Sequence, residues 1–267
     1  MSMTTVQLSL LIALIIIGAT SPAPVKNKIT LELDIFEQPP RRIEIVPSTE
    51  ISGGNNYAVK ASSRHTHIIG DVRDGDEIIV SGESDAVSRY VFVLVNMENT
   101  KYVRVMTKRR GKRITLSRAI EEFIKGPGDL SYRRLSRVLL DLDILIQDNT
   151  RYFNVEALIP PDDYEENLQS TSTTPLLLPT HYSIRPEYRL NITIGRVRYG
   201  KHTLEDRIGG LIERTVVWGG RVGDPTITIT SIYTNGYKVK STYLLTSHGN
   251  SQFHCYDERR EFVNSRL

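Results

Sequence analysis

Cysteine is almost absent from this chain. Cys255 stands alone in 267 residues, so no disulfide can close within the molecule. Small exported domains are commonly stapled by disulfides. Either the domains here hold without staples or their final compartment is reducing. Tryptophan is equally scarce, with Trp218 the single copy. Neither sign of charge dominates: 34 Lys and Arg stand against 31 Asp and Glu, a formal net charge of +3. That balance excludes a uniformly basic coat for nucleic acid, and electrostatic recognition must come from local clusters. Apolar residues make up 39% of the chain, below a typical globular protein but above the disordered class. Two modest cores fit this composition better than one large core, and the length suffices for two ordinary domains.

Long apolar runs are missing after the first twenty residues. The run Leu8–Ile17, followed by Gly18, Ala19 and Thr20, has the length of a signal-peptide core and is too short to cross a bilayer. It predicts a signal peptide over residues 1–20, cleaved near Ala19, Thr20 or Ser21, although its first residues carry no Lys or Arg. The mature chain is therefore expected to be secreted, with no stable membrane span. A host-cell cytosol or nucleus stays open as its destination after export.

Catalytic signatures are missing too. There is no Gly-x-Ser-x-Gly elbow and no cysteine in a protease context. The Gly-Gly pairs at 53–54, 209–210 and 219–220 lack the phosphate-loop spacing and read as turns. Glu121-Glu122 is placed on an exposed helix and Asp162-Asp163 in a loop, where burial does not tune a catalytic pKa. His65 and His67 share a face if extended, but two ligands do not close a zinc site. No metal, no cofactor and no catalytic residue is expected.

What the chain does contain is a repeat. ITLELDIFEQPPRRIEIV (29–46) lies over VLLDLDILIQDNTRYFNV (138–155) without gaps, with seven identities in eighteen pairs. Chance gives roughly one. A second anchor pairs IIGDVRDGDEIIVSGE (68–83) with RIGGLIERTVVWGGR (207–221), matching Ile69-Gly70 to Ile208-Gly209 and implying about 30 extra residues in the second copy. The excess is assigned to a Pro-, Ser- and Thr-rich insert near 160–180. Alternating strands flank two hairpin turns, NMENT (96–100) and one containing Asn235-Gly236, a strong hairpin signal. The predicted fold is mostly β (α+β): two tandem small antiparallel β modules with short helices. The modules span 26–127 and 138–262, joined by a helical linker at 128–137. The clearest helix is predicted at 117–126, capped by Ser117 and ended by Gly126-Pro127-Gly128; a second is read at 130–139.

A leader, the strand ITLELDI, Tyr57-Ala58-Val59-Lys60, the turn DVRDGDEIIVSGE (71–83) and a hairpin with KYVRV (101–105) together resemble the FAINT domain. That module occurs in multiple copies in secreted proteins of Theileria and related piroplasms. The resemblance covers 29–125 and 138–262 and rests on short, degenerate motifs. In the family pattern the short strand after the Asp-Gly turn tends to carry a tryptophan; Trp218 fits this, whereas Ser81 stands at the matching place in the first copy. The resemblance implies a parasite protein acting at the host interface. It carries over no catalytic residues.

Three functional readings follow. The first is a secreted, non-enzymatic binding protein that recognises a host or partner protein, with Tyr233, Tyr237 and Tyr243 of the second hairpin as amphipathic contacts. The second is a nuclear- or polyanion-directed effector using Lys108, Arg109, Arg110, Lys112 and Arg113, whose bases could engage phosphates or nucleic acid. The bland reading of that stretch is a solvated hairpin end, and of the tyrosines, sheet packing. The third is an unrecognised secreted hydrolase. Asn191-Ile192-Thr193 is the one glycosylation sequon, placed in an expected strand.

Overall fold

The computed structural model describes residues 28–49, 51–111, 115–146, 151–157, 180–221, 224–246 and 252–263. The predicted signal peptide, Lys112, Arg113 and nearly all of the 160–180 insert lie outside the described residues.

The first module holds β1 (Ile29–Asp34), β2 (Ile43–Pro47), β3 (Asn55–Val59), β4 (His67–Asp74), β5 (Glu77–Val80), β6 (Ala86–Val95), β7 (Lys101–Arg110), β8 (Leu116–Lys125) and β9 (Arg133–Arg134). The second holds β10 (Val138–Asp143), β11 (Phe153–Ala157), β12 (Thr180–Ile184), β13 (Ile192–Tyr199), β14 (His202–Glu205), β15 (Leu211–Arg221), β16 (Asp224–Tyr233), β17 (Tyr237–Thr246) and β18 (Gln252–Phe262). Each module pairs a six-stranded sheet with a three-stranded one, in the orders β2-β3-β6-β7-β8-β9 with β1-β4-β5, and β11-β12-β15-β16-β17-β18 with β10-β13-β14.

Period-two strands build the two cores. On β7, Val103 and Val105 point inward while Tyr102, Arg104 and Met106 point outward. Leu33, Ile69 and Val72 of the small sheet meet Val91, Val103 and Val105 of the large one. In the second module Leu142, Ile194 and Val197 meet Val216, Trp218, Ile227 and Ile229. The small sheets are not wholly antiparallel as expected: β1 runs parallel to β4 and β10 parallel to β13. A parallel pair needs a long crossover, which β2 and β3, or β11 and β12, supply.

The duplication is present, but its second anchor lies elsewhere. Ile29 pairs with His67 as Val138 pairs with Ile192. The counterpart of Ile69-Gly70 is thus Ile194-Gly195, not Ile208-Gly209. The offset rises from 109 to 125, so the second copy carries 16 extra residues up to this point rather than about 30. The same frame sets Trp218 opposite Val93 of the first copy, not Ser81. Asp34 and Asp143 show why the shared strand is written alike. Each carboxylate accepts the N–H two residues on, from Phe36 (3.0 Å) and Leu145 (3.1 Å), and the N–H of a left-handed glycine, Gly75 (3.0 Å) or Gly200 (2.9 Å).

The predicted helices are absent among the described residues, where two 3-10 turns, Ala61–Ser63 and Pro186–Tyr188, are the helical content. Residues 117–126 fall mostly in β8. Its apolar residues sit at helix-like intervals because both faces of the strand are covered: Phe123 enters the core while Ile120 faces the second module. Residues 130–139 supply β9 and the start of β10. The linker between the two sets of sheets is thus 135–137 rather than a helix.

The modules dock asymmetrically. Met106 and Ile120, on the outward face of the first large sheet, pack against Ile212 and Val263, flanked by Tyr90 and Ile232. Burying an apolar side chain of this kind contributes about 1.5–3 kcal/mol. The Ile120 N–H donates to Thr234 O at 2.7 Å, and Arg118 Nη1 donates to Val263 O at 2.6 Å. Gly236 permits this approach: its φ is +77°, and a Cβ there would stand 2.6 Å from that of Arg118.

Candidate binding cleft between the modules

Beside the docked apolar residues, the two modules border a small cleft of about 90 Å³, partly open to solvent. Its first-module wall follows from strand register. Arg104 on β7 lies directly opposite Glu122 on β8, with Tyr102 two residues away on the same face. Nη2 of Arg104 lies 2.9 Å from Glu122 Oε1, and its Nε donates to Tyr102 Oη at 2.8 Å. The Tyr102 hydroxyl in turn donates to Glu122.

Arg137 of the linker closes the network. Nη1 and Nη2 fork onto the two Glu122 oxygens at 2.5 and 3.0 Å, while Nε donates to Arg189 O of the second module at 2.8 Å. Burial by itself would raise the Glu122 carboxyl. The Arg104 charge and the Arg137 hydrogen bonds and charge outweigh burial and hold it down at about 2. Burial, and then the Glu122 charge and hydrogen bond, raise the Tyr102 hydroxyl, partly offset by Arg104. Glu122 is 8% exposed, which corrects its assignment to a solvated helix.

The opposite wall is made by Ser183 and Ile184 of β12, Arg189 and Leu190 after the 3-10 turn, Ile192 and Thr193 of β13, and Ile212–Thr215 of β15. Pro186 starts that turn, and the Asn191 N–H closes it on Tyr188 O at 2.9 Å. The second module repeats the strands that carry the ion pair but not its chemistry. Thr226, Thr228 and Thr242 stand where the first copy has Tyr102, Arg104 and Glu122, and Thr228 and Thr242 are in hydroxyl contact at 3.5 Å.

The residues singled out in the sequence lie elsewhere. Tyr233 and Tyr243 are buried, which removes them from a contact surface. The Tyr233 hydroxyl donates to Arg207 O at 3.2 Å, and Tyr243 sits in the second core, its hydroxyl pushed up to about 12 by burial and then by Glu205. Tyr237 is half-buried and stacks on Phe262, ring centroids 4.5 Å apart. In the basic stretch, Arg109 is forked onto Glu83, with Nη2 at 2.7 Å from Oε1, so its charge is balanced within the fold. Lys108 is half-buried and Arg110 exposed at the end of β7.

Nor do the histidines form a pair. His67 is buried between Arg42 and Thr66 while His65 is exposed, and no cluster of metal-binding side chains occurs among the described residues. Asn191 is exposed in the turn before β13 rather than within a strand, although Thr193 of its sequon is buried. No helix among the described residues is long and apolar enough to cross a membrane.

Sequence reasoning missed Arg104, Glu122 and Arg137. The signal that reaches them is alternation: reading 116–125 as a strand puts Glu122 on the outward face, beside Arg104. Comparison with protein-family profiles, with curated proteins and with solved structures finds no match.

Proposed function

We propose that this chain is an exported, non-enzymatic binding protein whose two modules act together to recognise a partner macromolecule. The observation that carries this reading is their docking in one fixed orientation. The cluster around Met106, Ile120, Ile212 and Val263, together with Arg137 bridging Glu122 and Arg189 O, composes one surface from two modules. The buried or half-buried carboxylates support a non-catalytic role. Glu83, Glu122 and Glu205 are all held below their ordinary range by arginines, away from the neutral pKa that suits general acid–base work. The FAINT resemblance points in the same direction and favours a host partner.

The polyanion reading is the weaker one, because Arg109 is already paired with Glu83. A chain with Lys108, Arg110, Lys112 and Arg113 changed to Gln tests both. Unchanged retention on a heparin column and unchanged capture of a partner support the binding reading. Loss of salt-sensitive retention together with loss of capture overturns it in favour of the polyanion reading.

A further inference from the structure

The hairpin turn at the module contact carries a reactive dipeptide. Asn235-Gly236 is the single Asn-Gly step in the chain. Glycine has no side chain to shield its own amide nitrogen, so in a free chain that nitrogen reaches the carboxamide carbon of the preceding asparagine.

The fold keeps the two groups from reacting. Asn235 is exposed, yet its Oδ1 accepts the Tyr237 N–H at 3.1 Å, and the Gly236 N–H donates to Tyr233 O at 2.9 Å. Both reacting groups are thus engaged with the backbone of their own hairpin. The first module clamps the turn from outside. Thr234 O accepts the Ile120 N–H at 2.7 Å, and Gly236, buried with φ at +77°, lies against Arg118. Gly236 O accepts the Val263 N–H at 2.9 Å, and Val263 packs in one cluster with Met106 and Ile120. Attack on the carboxamide requires rotation of the chain at Asn235, and these contacts resist that rotation.

We propose that Asn235 is a self-modification site gated by module docking. When the modules part, the turn loosens and Gly236 N attacks Asn235 Cγ. A C–N bond forms, and Nδ2 leaves as ammonia, carrying away the proton of the Gly236 amide. Water then opens the resulting cyclic imide. Opening at one carbonyl leaves aspartate; opening at the other leaves isoaspartate, whose main chain is one methylene longer. No oxidant or reductant is needed. The two products differ at the interface. Aspartate keeps the backbone of the turn and permits docking. Isoaspartate does not: a Cβ on Gly236 would already stand 2.6 Å from that of Arg118, so a longer main chain has no room. The reaction therefore fixes the parted state. This switch depends on the docking contact alone, whatever the modules recognise.

The test is ageing of the full chain in mildly alkaline buffer, with isoaspartate at position 235 followed by peptide mapping and enzymatic methyl labelling. The urea-unfolded chain supplies the unprotected rate, and Asn235→Gln the blank. Reaction from an opened state follows the population of that state. Ile120→Asp and Arg118→Gln are each expected to react about tenfold or more faster than the folded parent. Should Ile120→Asp fail to fold, Arg118→Gln, which gives up the bond to Val263 O, decides. The isoaspartate form, separated from the aspartate form, is expected to show the larger radius of gyration. A folded parent reacting as fast as the unfolded chain, folded variants no faster than the parent, or an isoaspartate form with the parent's radius overturns the proposal.

Discussion

Arg89 and Arg214 hold the same carbonyl in the two modules: Nη1 of Arg89 donates to Gly70 O and Nη1 of Arg214 to Gly195 O, 125 residues further on. Their Nε atoms also match, donating to Thr107 Oγ1 at 3.1 Å and Ser231 Oγ at 2.9 Å. Each arginine pins the small sheet to the large one across the core. Beyond that they differ. Arg89 has the carboxylate of Glu83 at 3.1 Å, whereas Arg214 spends its remaining donors on Arg207 O (2.7 Å) and the Tyr233 hydroxyl (3.3 Å).

Replacing either arginine leaves buried carbonyls without a donor. Arg89→Met and Arg214→Met are each expected to destabilise by about 3 kcal/mol. Urea midpoints of the two variants measure this. Midpoints equal to that of the parent would show that the pins contribute nothing.

The Glu122 network carries a pH signature. Its folded pKa of about 2 lies below the ordinary 4.5. The carboxylate therefore contributes stability above pH 4.5, and that contribution is lost as pH falls from there through 2. The full swing is about 3 kcal/mol. Comparing parent and Glu122→Gln by denaturant unfolding across this window should show the parent alone losing it. Parallel curves would refute the assignment.

Module docking depends on a few side chains. Ile120→Asp places a charge against Met106, Ile212 and Val263 and should separate the modules without unfolding them. Small-angle scattering would then report a larger radius of gyration, and proteases would reach residues 135–137. An unchanged radius would mean that the remaining contacts suffice.

The repeated aspartates make a matched pair of predictions. Asp34→Ala removes the acceptor for Phe36 and Gly75, and Asp143→Ala that for Leu145 and Gly200. Each bond is partly exposed, so about 1–2 kcal/mol is expected for each variant. Thermal unfolding of the single and double variants checks both size and additivity, since the two sites share no partner.

The β-rich character, the tandem duplication and both hairpins were legible because alternation and Asn235-Gly236 are local signals. The Asp34/Asp143 identity was legible as well, though its reason lies in long-range bonds to Gly75 and Gly200. The strand at 116–125 was not. Its outward face is buried by a module that begins twenty residues later, so Ala119, Ile120, Phe123 and Ile124 read as a helix stripe. The true second anchor was legible too but was passed over for the Ile208-Gly209 match: Ile69-Gly70, Val72-Arg73 and Gly75 recur as Ile194-Gly195, Val197-Arg198 and Gly200, all 125 residues further on, and Arg89 and Arg214 hold the matched Gly70 and Gly195 carbonyls. The contact tyrosines failed because amphipathic residues on a strand look the same whether they face solvent or, like Tyr243, the core.

The docking of the two modules is a head-to-tail contact, the kind that can in principle continue into a filament. The first module offers Tyr90, Met106 and Ile120 to the end of the second. At the corresponding positions the second module presents Thr215, Thr230 and Lys240, half-buried or exposed. A further copy arriving by the same geometry would meet hydroxyls and an ammonium in place of an apolar seat. The contact therefore ends after one step, and three substitutions that restore the apolar seat would be the shortest route from this pair to a polymer.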